Sequence, residues 1–372
     1  MNEAALIGFF RDLHAHPELG MEEFRTTAKI REALSAHGVE VLDANMPTGA
    51  VARIGRGGRV IGLRCDIDAL PIQEESGLDY ASACPGRMHA CGHDFHAAVM
   101  LGAAVLLQRR QAELKGTVKV VFQPSEELNC GAKTALATGL MDDVEEFYGI
   151  HSYPWFPAGT LGIKEGPVMA APDRFAISLH GRGTHGGLPH KGVDPIPAAA
   201  SIVLSAQTIV SRRVSPFTPA VVSITRLQSG TTWNVVPETA ELEGTVRSFS
   251  PEDRDFMRAA LRRIAESTAA AYGCTAEFSY EEGPDAVIND AGLCAAAREV
   301  ALDLGFKADR QEDTMGGEDF SEYLKRCPGV FIRVGTGGFR GSHTPQFTVD
   351  PAALWPAANY FAELAIRRCN RG

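Results

Sequence analysis

The 372-residue sequence carries no excess of positive charge: 36 Lys and Arg stand against 46 Asp and Glu, a formal net charge of -10. A nucleic-acid backbone requires clustered cations, so no nucleic-acid partner is expected, and an anionic ligand has to be met by local arginines. No apolar run is long enough to span a bilayer, which excludes a membrane-embedded helix. The start, MNEAALIGFFRDLHAHPELG, lacks the basic stretch, apolar core and cleavage site of a signal peptide. Eight cysteines occur without a CxxC pair, which speaks against a zinc finger or a disulfide framework and fits a reducing cytoplasm. Internal repeats and low-complexity tracts are missing too. Neither glycine-rich stretch, GRGTHGG (181–187) or GTGGFRG (335–341), has the spacing of a phosphate loop, and both read as turns.

What is present is an ordinary globular balance, 45% apolar residues, over a length that exceeds one hydrophobic core. Residues 22–37, EEFRTTAKIREALSAH, read as an amphipathic helix ending at Gly38. Short apolar runs follow, VIGLR (60–64), VKVVFQ (118–123), FYGIHS (147–152) and GVFIRVGT (329–336), alternating with helical stretches such as HAAVMLGAAVLLQRR (96–110). That alternation predicts an α/β fold with a mixed, mostly parallel sheet. From Asp173 the order becomes strand, helix, strand, strand, helix, strand, a split βαβ unit of ferredoxin-like α+β type. The expected organisation is a discontinuous α/β domain, residues 1–172 and 287–372, interrupted by a ferredoxin-like domain over residues 173–286.

In open α/β sheets ligands bind beyond the carboxyl ends of the strands, so the residues after each apolar run matter most. VIGLR is followed by Asp66 and Asp68, VKVVFQ by Glu126 and Glu127, FYGIHS carries His151, and GVFIRVGT leads to His343. The segment MHACGHDFH, just before a helix, adds His89, Cys91, His93, Asp94 and His96. Cys91 and His93 are two residues apart, and in an extended loop that spacing points both side chains the same way, as two ligands of one metal or of a metal pair require. Each residue alone has a plainer explanation: a histidine satisfied in the core, glutamates at a solvated helix start, aspartates bonding turn backbone. Their convergence on one sheet edge favours a metal. A mixed Cys, His and carboxylate set suits zinc, nickel, cobalt or manganese, whereas calcium and magnesium prefer oxygen alone. GGEDF (316–320) reads as a helix start, with Glu318 or Asp319 capping the first amides.

The segments RCDIDALPI, MHACGHD, FQPSEE, GTHGGLPHKGVDP, TTWNVVPETAELEGTVRSF, GGEDF and SHTPQF resemble the M20 metallopeptidase family. More narrowly they are similar to its bacterial and plant N-acyl amino acid amidohydrolases, and the likeness runs from Arg11 to Arg367. The resemblance implies a catalytic domain interrupted by a lid that also dimerises, hence a homodimer or dimer-based oligomer. It places metal ligands at Cys91, His93, Glu127, His151 and His343, the general base at Glu126 and a supporting aspartate at Asp68. His185 falls on a lid histidine that reaches a partner's active site, and Asn234 and Arg247 on groups that hold the substrate carboxylate. The implied cofactor is one or two divalent transition ions, Zn, Mn, Co or Ni. The implied small-molecule substrate is an N-acyl-L-amino acid, with acetyl on cysteine or an S-substituted cysteine foremost. A dipeptidase or carboxypeptidase of the same family and a non-catalytic acyl-amino-acid binder are the alternatives. Cys91 departs from the carboxylate and histidine set of aminoacylases and carboxypeptidases.

Overall fold

The computed structural model describes residues 1–309, 314–338 and 340–371. The chain divides into two compact units, one of Met1–Val168, Ile288–Glu312 and Asp319–Gly372, the other of Met169–Val287 and Asp313–Glu318.

In the first unit an eight-stranded sheet runs in the order Glu40–Leu42, Ala50–Gly55, Thr117–Gln123, Val60–Asp66, Glu146–Tyr153, Gly329–Gly335, Thr160–Gly162 and Lys307–Asp309. Its four central neighbours, from Thr117–Gln123 to Gly329–Gly335, pair in parallel. The Thr117–Gln123 and Gly329–Gly335 strands are buried at every position, as sheets covered on both faces require. Antiparallel pairings join Ala50–Gly55 to its two neighbours and Thr160–Gly162 to Gly329–Gly335, so the sheet is mixed. The helix His93–Arg109 is apolar nearly all round and packs on Leu354–Asn370. Gly102 permits this approach, because a Cβ there would lie 2.8 Å from that of Ala358. Parallel pairing sends the four central strands to one edge, where Asp66, the turn after Gln123, His151 and the segment after Gly335 emerge.

In the second unit four antiparallel strands, Ala171–His180, Val221–Ser229, Thr239–Ser248 and Thr275–Glu281, stand in the order second, third, first, fourth. Ala171–His180 and Thr239–Ser248 alternate in burial along their length, as a sheet with one covered face demands. The helices Pro195–Arg213 and Pro251–Ala271 complete the β-α-β-β-α-β pattern, and both start on a capping side chain, Asp194 and Ser250, followed by proline. Phe175, Ile177, Ile202, Leu242 and Leu261 belong to a core of its own.

Three local expectations change. The helix after GGEDF is only Ser321–Leu324 and has no side-chain cap; Asp319 instead takes hydrogen bonds from Arg64, Gln123 and the Ala132 N–H. Thr184 and His185, read as part of a turn, pair with Val235–Val236 as a short ribbon. The segment from Cys91 to His93 is not extended: Gly92 has φ 86° and swings the chain into a helix that starts at His93. Phe339, in the second glycine-rich stretch, lies outside the described residues. Among the described residues no helix is long and apolar enough to cross a membrane, and the eight cysteines are all free thiols.

Candidate metal centre

The turn at Gly92 admits no side chain, since a Cβ there would sit 2.6 Å from Ser152 Oγ. It sets Cys91 and His93 on either side of the helix start. Ligand atoms of Cys91, His93 and His151 lie within 4.8 Å of one another, and the same holds for Cys91, Glu127 and His343, and for His93, Glu126 and Glu127. Three overlapping groups therefore gather one thiol, three imidazoles and two carboxylates at the edge where the parallel strands end.

The hydrogen bonds around the histidines decide which nitrogen faces inward. His93 Nδ1 donates to Asp68 Oδ1 at 3.0 Å, and Asp68 Oδ2 accepts the N–H of Glu127 at 3.0 Å. His151 Nδ1 donates to the Ser152 carbonyl at 2.7 Å, leaving Nε2 toward Cys91 Sγ, 3.5 Å away. In its neutral form each ring thus presents the lone pair of Nε2 inward. His93 Nε2 and Glu127 Oε1 are both buried without a hydrogen-bond partner. An unsatisfied buried group of this kind costs about 1–3 kcal/mol, and coordination to a metal ion satisfies each. Glu127 Oε1 lies 3.9 Å from His93 Nε2 and 3.4 Å from His343 Nε2. Sulfur, imidazole and carboxylate donors together are the set a divalent transition ion takes, so the residues fit such an ion.

The electrostatics point the same way. Burial opposes a proton on His93, yet Asp66 and Cys91 raise its pKa well above the ordinary range, so the space around Nε2 attracts positive charge. Burial and the nearby Glu127 push the Cys91 thiol up to about 12, so a cation has to displace that proton on binding. Burial and His96 keep His151 well below its ordinary value, with Nε2 unprotonated.

Behind these groups lies a layer of buried polar residues that sequence reasoning did not single out as functional. Arg64, fully buried, donates to Gln123, Asp66 and Asp319. His14 is held by Asp94 at 2.7 Å and Glu74 at 3.1 Å. Against burial, these two carboxylates lift His14 to about 10. The signal for Arg64 was a cation inside an apolar strand run; for His14 none beyond the histidine itself.

His185, Asn234 and Arg247 belong to the second unit. His185 Nδ1 accepts the Gly187 N–H at 3.0 Å, which puts the ring proton on Nε2 as an exposed donor. The ribbon with Val235–Val236 brings Asn234 beside it, the Asn234 carbonyl accepting the Gly186 N–H at 2.8 Å. Next to this ribbon is a cleft of about 680 Å³ lined by Thr184, His185, Gln228, Thr231 and Glu238. Arg247 sits on Thr239–Ser248, opposite Val221 and Pro172, and its half-buried guanidinium makes no hydrogen bond or ion pair among the described residues.

Residues 62–367 match the family Peptidase_M20, peptidase family M20/M25/M40. The chain belongs to the M20 family. It is 49% identical over 364 residues to the N-acetylcysteine deacetylase of Bacillus subtilis, covering 97% of this chain and 96% of that one. It is 35% identical to thermostable carboxypeptidase 1 of Saccharolobus solfataricus, covering 98% and 96%. Among solved M20 structures, the Bacillus subtilis YXEP protein, described as a dinuclear metal-binding peptidase, superposes with a TM-score of 0.89 at 46% identity over 98% of both chains.

Proposed function

We propose that this M20 protein is a metal-dependent amidohydrolase that cleaves the amide bond of N-acyl-L-amino acids, short acyl groups on cysteine or an S-substituted cysteine foremost. The observation that carries the reading is the set of overlapping groups around Cys91, with Glu126 beside His93 and Glu127. Cys91, His93, Glu127, His151 and His343 would hold one or two divalent ions, zinc, manganese, cobalt or nickel. Such an ion supplies Lewis acidity, polarising the substrate carbonyl and making water more acidic.

Glu126 takes a proton from the water whose oxygen attacks the carbonyl carbon. As the C–N bond breaks, it hands that proton to the leaving amine, so the products are a carboxylate and a free amino acid. Asp68 orients His93 and steadies Glu127 throughout. In the second unit, Nε2–H of His185 suits a developing oxyanion, and the unpaired guanidinium of Arg247, with Asn234, suits the substrate carboxylate.

The chain is read as a cytoplasmic homodimer. Val221–Ser229 is an edge strand of the second unit's sheet, and Leu204, Phe217 and Trp233 of the same unit are exposed large apolar residues. Light scattering on the purified protein checks this, with a monomer at micromolar concentration as the contrary result.

A carboxypeptidase reading keeps support from the 35% identical relative; the higher identity to the deacetylase favours acyl amino acids. Amine release from N-acetyl and N-benzoyl amino acids and from dipeptides, after stripping metal and restoring each ion singly, decides between them. Turnover of acyl amino acids above dipeptides is expected, and silence with every ion sinks the proposal.

A further inference from the structure

Nothing in the proposed mechanism uses His96, a fully buried residue in the first turn of the His93–Arg109 helix. It is near enough to Asp66 and His93 to pass for a further ligand. Its hydrogen bonds rule that out. Nε2 accepts the N–H of Ser152 at 2.6 Å, so its lone pair is engaged and the ring proton must be on Nδ1. From there it is donated to Asp66 Oδ1 at 2.5 Å. Asp66 is fixed in turn by Arg64 at 2.9 Å, and Arg64 is anchored at 2.8 Å on Asp319. Both nitrogens are spent, and the line of bonds ends on the residue that follows His151.

Ser152 is held at three points. Its N–H goes to His96, its carbonyl accepts Nδ1–H of His151 at 2.7 Å, and its hydroxyl donates to the Cys91 carbonyl at 2.9 Å. Ser152 therefore fixes the ring of His151 and the backbone of Cys91 together, and His96 fixes Ser152. Asp68 acts elsewhere, on the His93 ring and the Glu127 N–H. His343 is held differently, by its backbone N–H on the Ala90 carbonyl, and its side chain is 54% exposed.

We infer that His96 is a positioning residue which, through Ser152, braces the Cys91–His93–His151 group and makes it the tighter of two unequal metal sites, Cys91–Glu127–His343 being the looser. The inference rests on the metal reading above and assigns an order to its two groups.

The test is a zinc titration of the metal-stripped full-length protein against a chromophoric chelator, with melting curves to confirm that each variant is folded. In His96→Phe, which fills the space without an acceptor, the tighter binding step weakens about 10- to 100-fold, the usual effect of losing a ligand's supporting partner. Any weaker second step stays within about threefold. His96→Gln, which keeps an acceptor for the Ser152 N–H, recovers most of the loss, and Ser152→Ala weakens the same step more mildly. Asp68→Asn weakens both steps. The cobalt(II) forms report geometry, with visible absorption altered in His96→Phe and restored in His96→Gln. Should His96→Phe fail to fold, His96→Gln and Ser152→Ala carry the comparison. Equal weakening of both steps, no weakening in any folded variant, or identical behaviour of Phe and Gln overturns the inference. Wild-type protein that binds no zinc overturns both readings, whereas zinc binding without hydrolysis overturns the function alone.

Discussion

Glu126 and Glu127 are adjacent in the chain and meet different surroundings. The Glu127 N–H is held by Asp68 and its Oε1 faces His93 and His343, while the Glu126 carboxylate lies within 4.8 Å of ligand atoms of His93 and Glu127 and also of Asp319. Glu126→Gln should therefore retain metal but lower kcat about 10²- to 10⁴-fold, the usual worth of a general base; paired metal analysis and amine-release rates check this. Arg247→Ala should raise KM for acyl amino acids at least tenfold while sparing the corresponding amino acid amides, and equal losses on both would remove its carboxylate role. At this scale the sequence exposed residue types but not their partners. Cys, His and Glu stood after successive strands in plain view. Arg64 closes the apolar run VIGLR with no sign in the sequence of its partner Asp319, 255 positions further on.

The elements were legible where periodicity is strong. Continuous apolar runs gave the central strands, and alternating ones gave the second unit's sheet, because both periods follow from which faces are covered. The helix start at His93 was not, since the turn depends on a left-handed Gly92 pressed against Ser152. Gly92→Ala should cost about 1–2 kcal/mol in backbone strain alone, and it should reduce metal content because the helix start would shift; melting curves and metal analysis read both. Element joins also carry the pH response. Glu146, at the head of its strand, bonds Arg59, Tyr148 and Arg368 from the last helix. Burial pushes its pKa up, but Arg368, Tyr148 and Arg59 outweigh that and hold it below the ordinary 4.5. A depressed carboxylate stabilises the fold above its unfolded value and loses that contribution as pH falls through the folded one. Glu146→Gln should accordingly lower stability at pH 7 by about 3 kcal/mol. The deficit should shrink as pH drops below 4.5, which chemical denaturation at several pH values measures.

For the whole molecule, separate cores in the two units predict separate responses to a chelator. Ions bound by the folded first unit stabilise it by mass action, about 2.7 kcal/mol at a hundredfold excess over Kd. Calorimetry with and without chelator should show the first unit's transition moving down by several degrees and the second unit's unmoved; a common shift would mean that the units melt together. The order of strands carries a consequence for synthesis. Gly329–Gly335 lies between Glu146–Tyr153 and Thr160–Gly162, which leave the ribosome long before it does, with the entire second unit emerging in between. Until the final quarter of the chain appears, the sheet is split at its middle, Arg64 lacks Asp319, and His343 does not yet exist. A nascent chain must keep two finished strands apart and waiting, so its most aggregation-prone moment falls late in translation, and chaperone dependence should be read there.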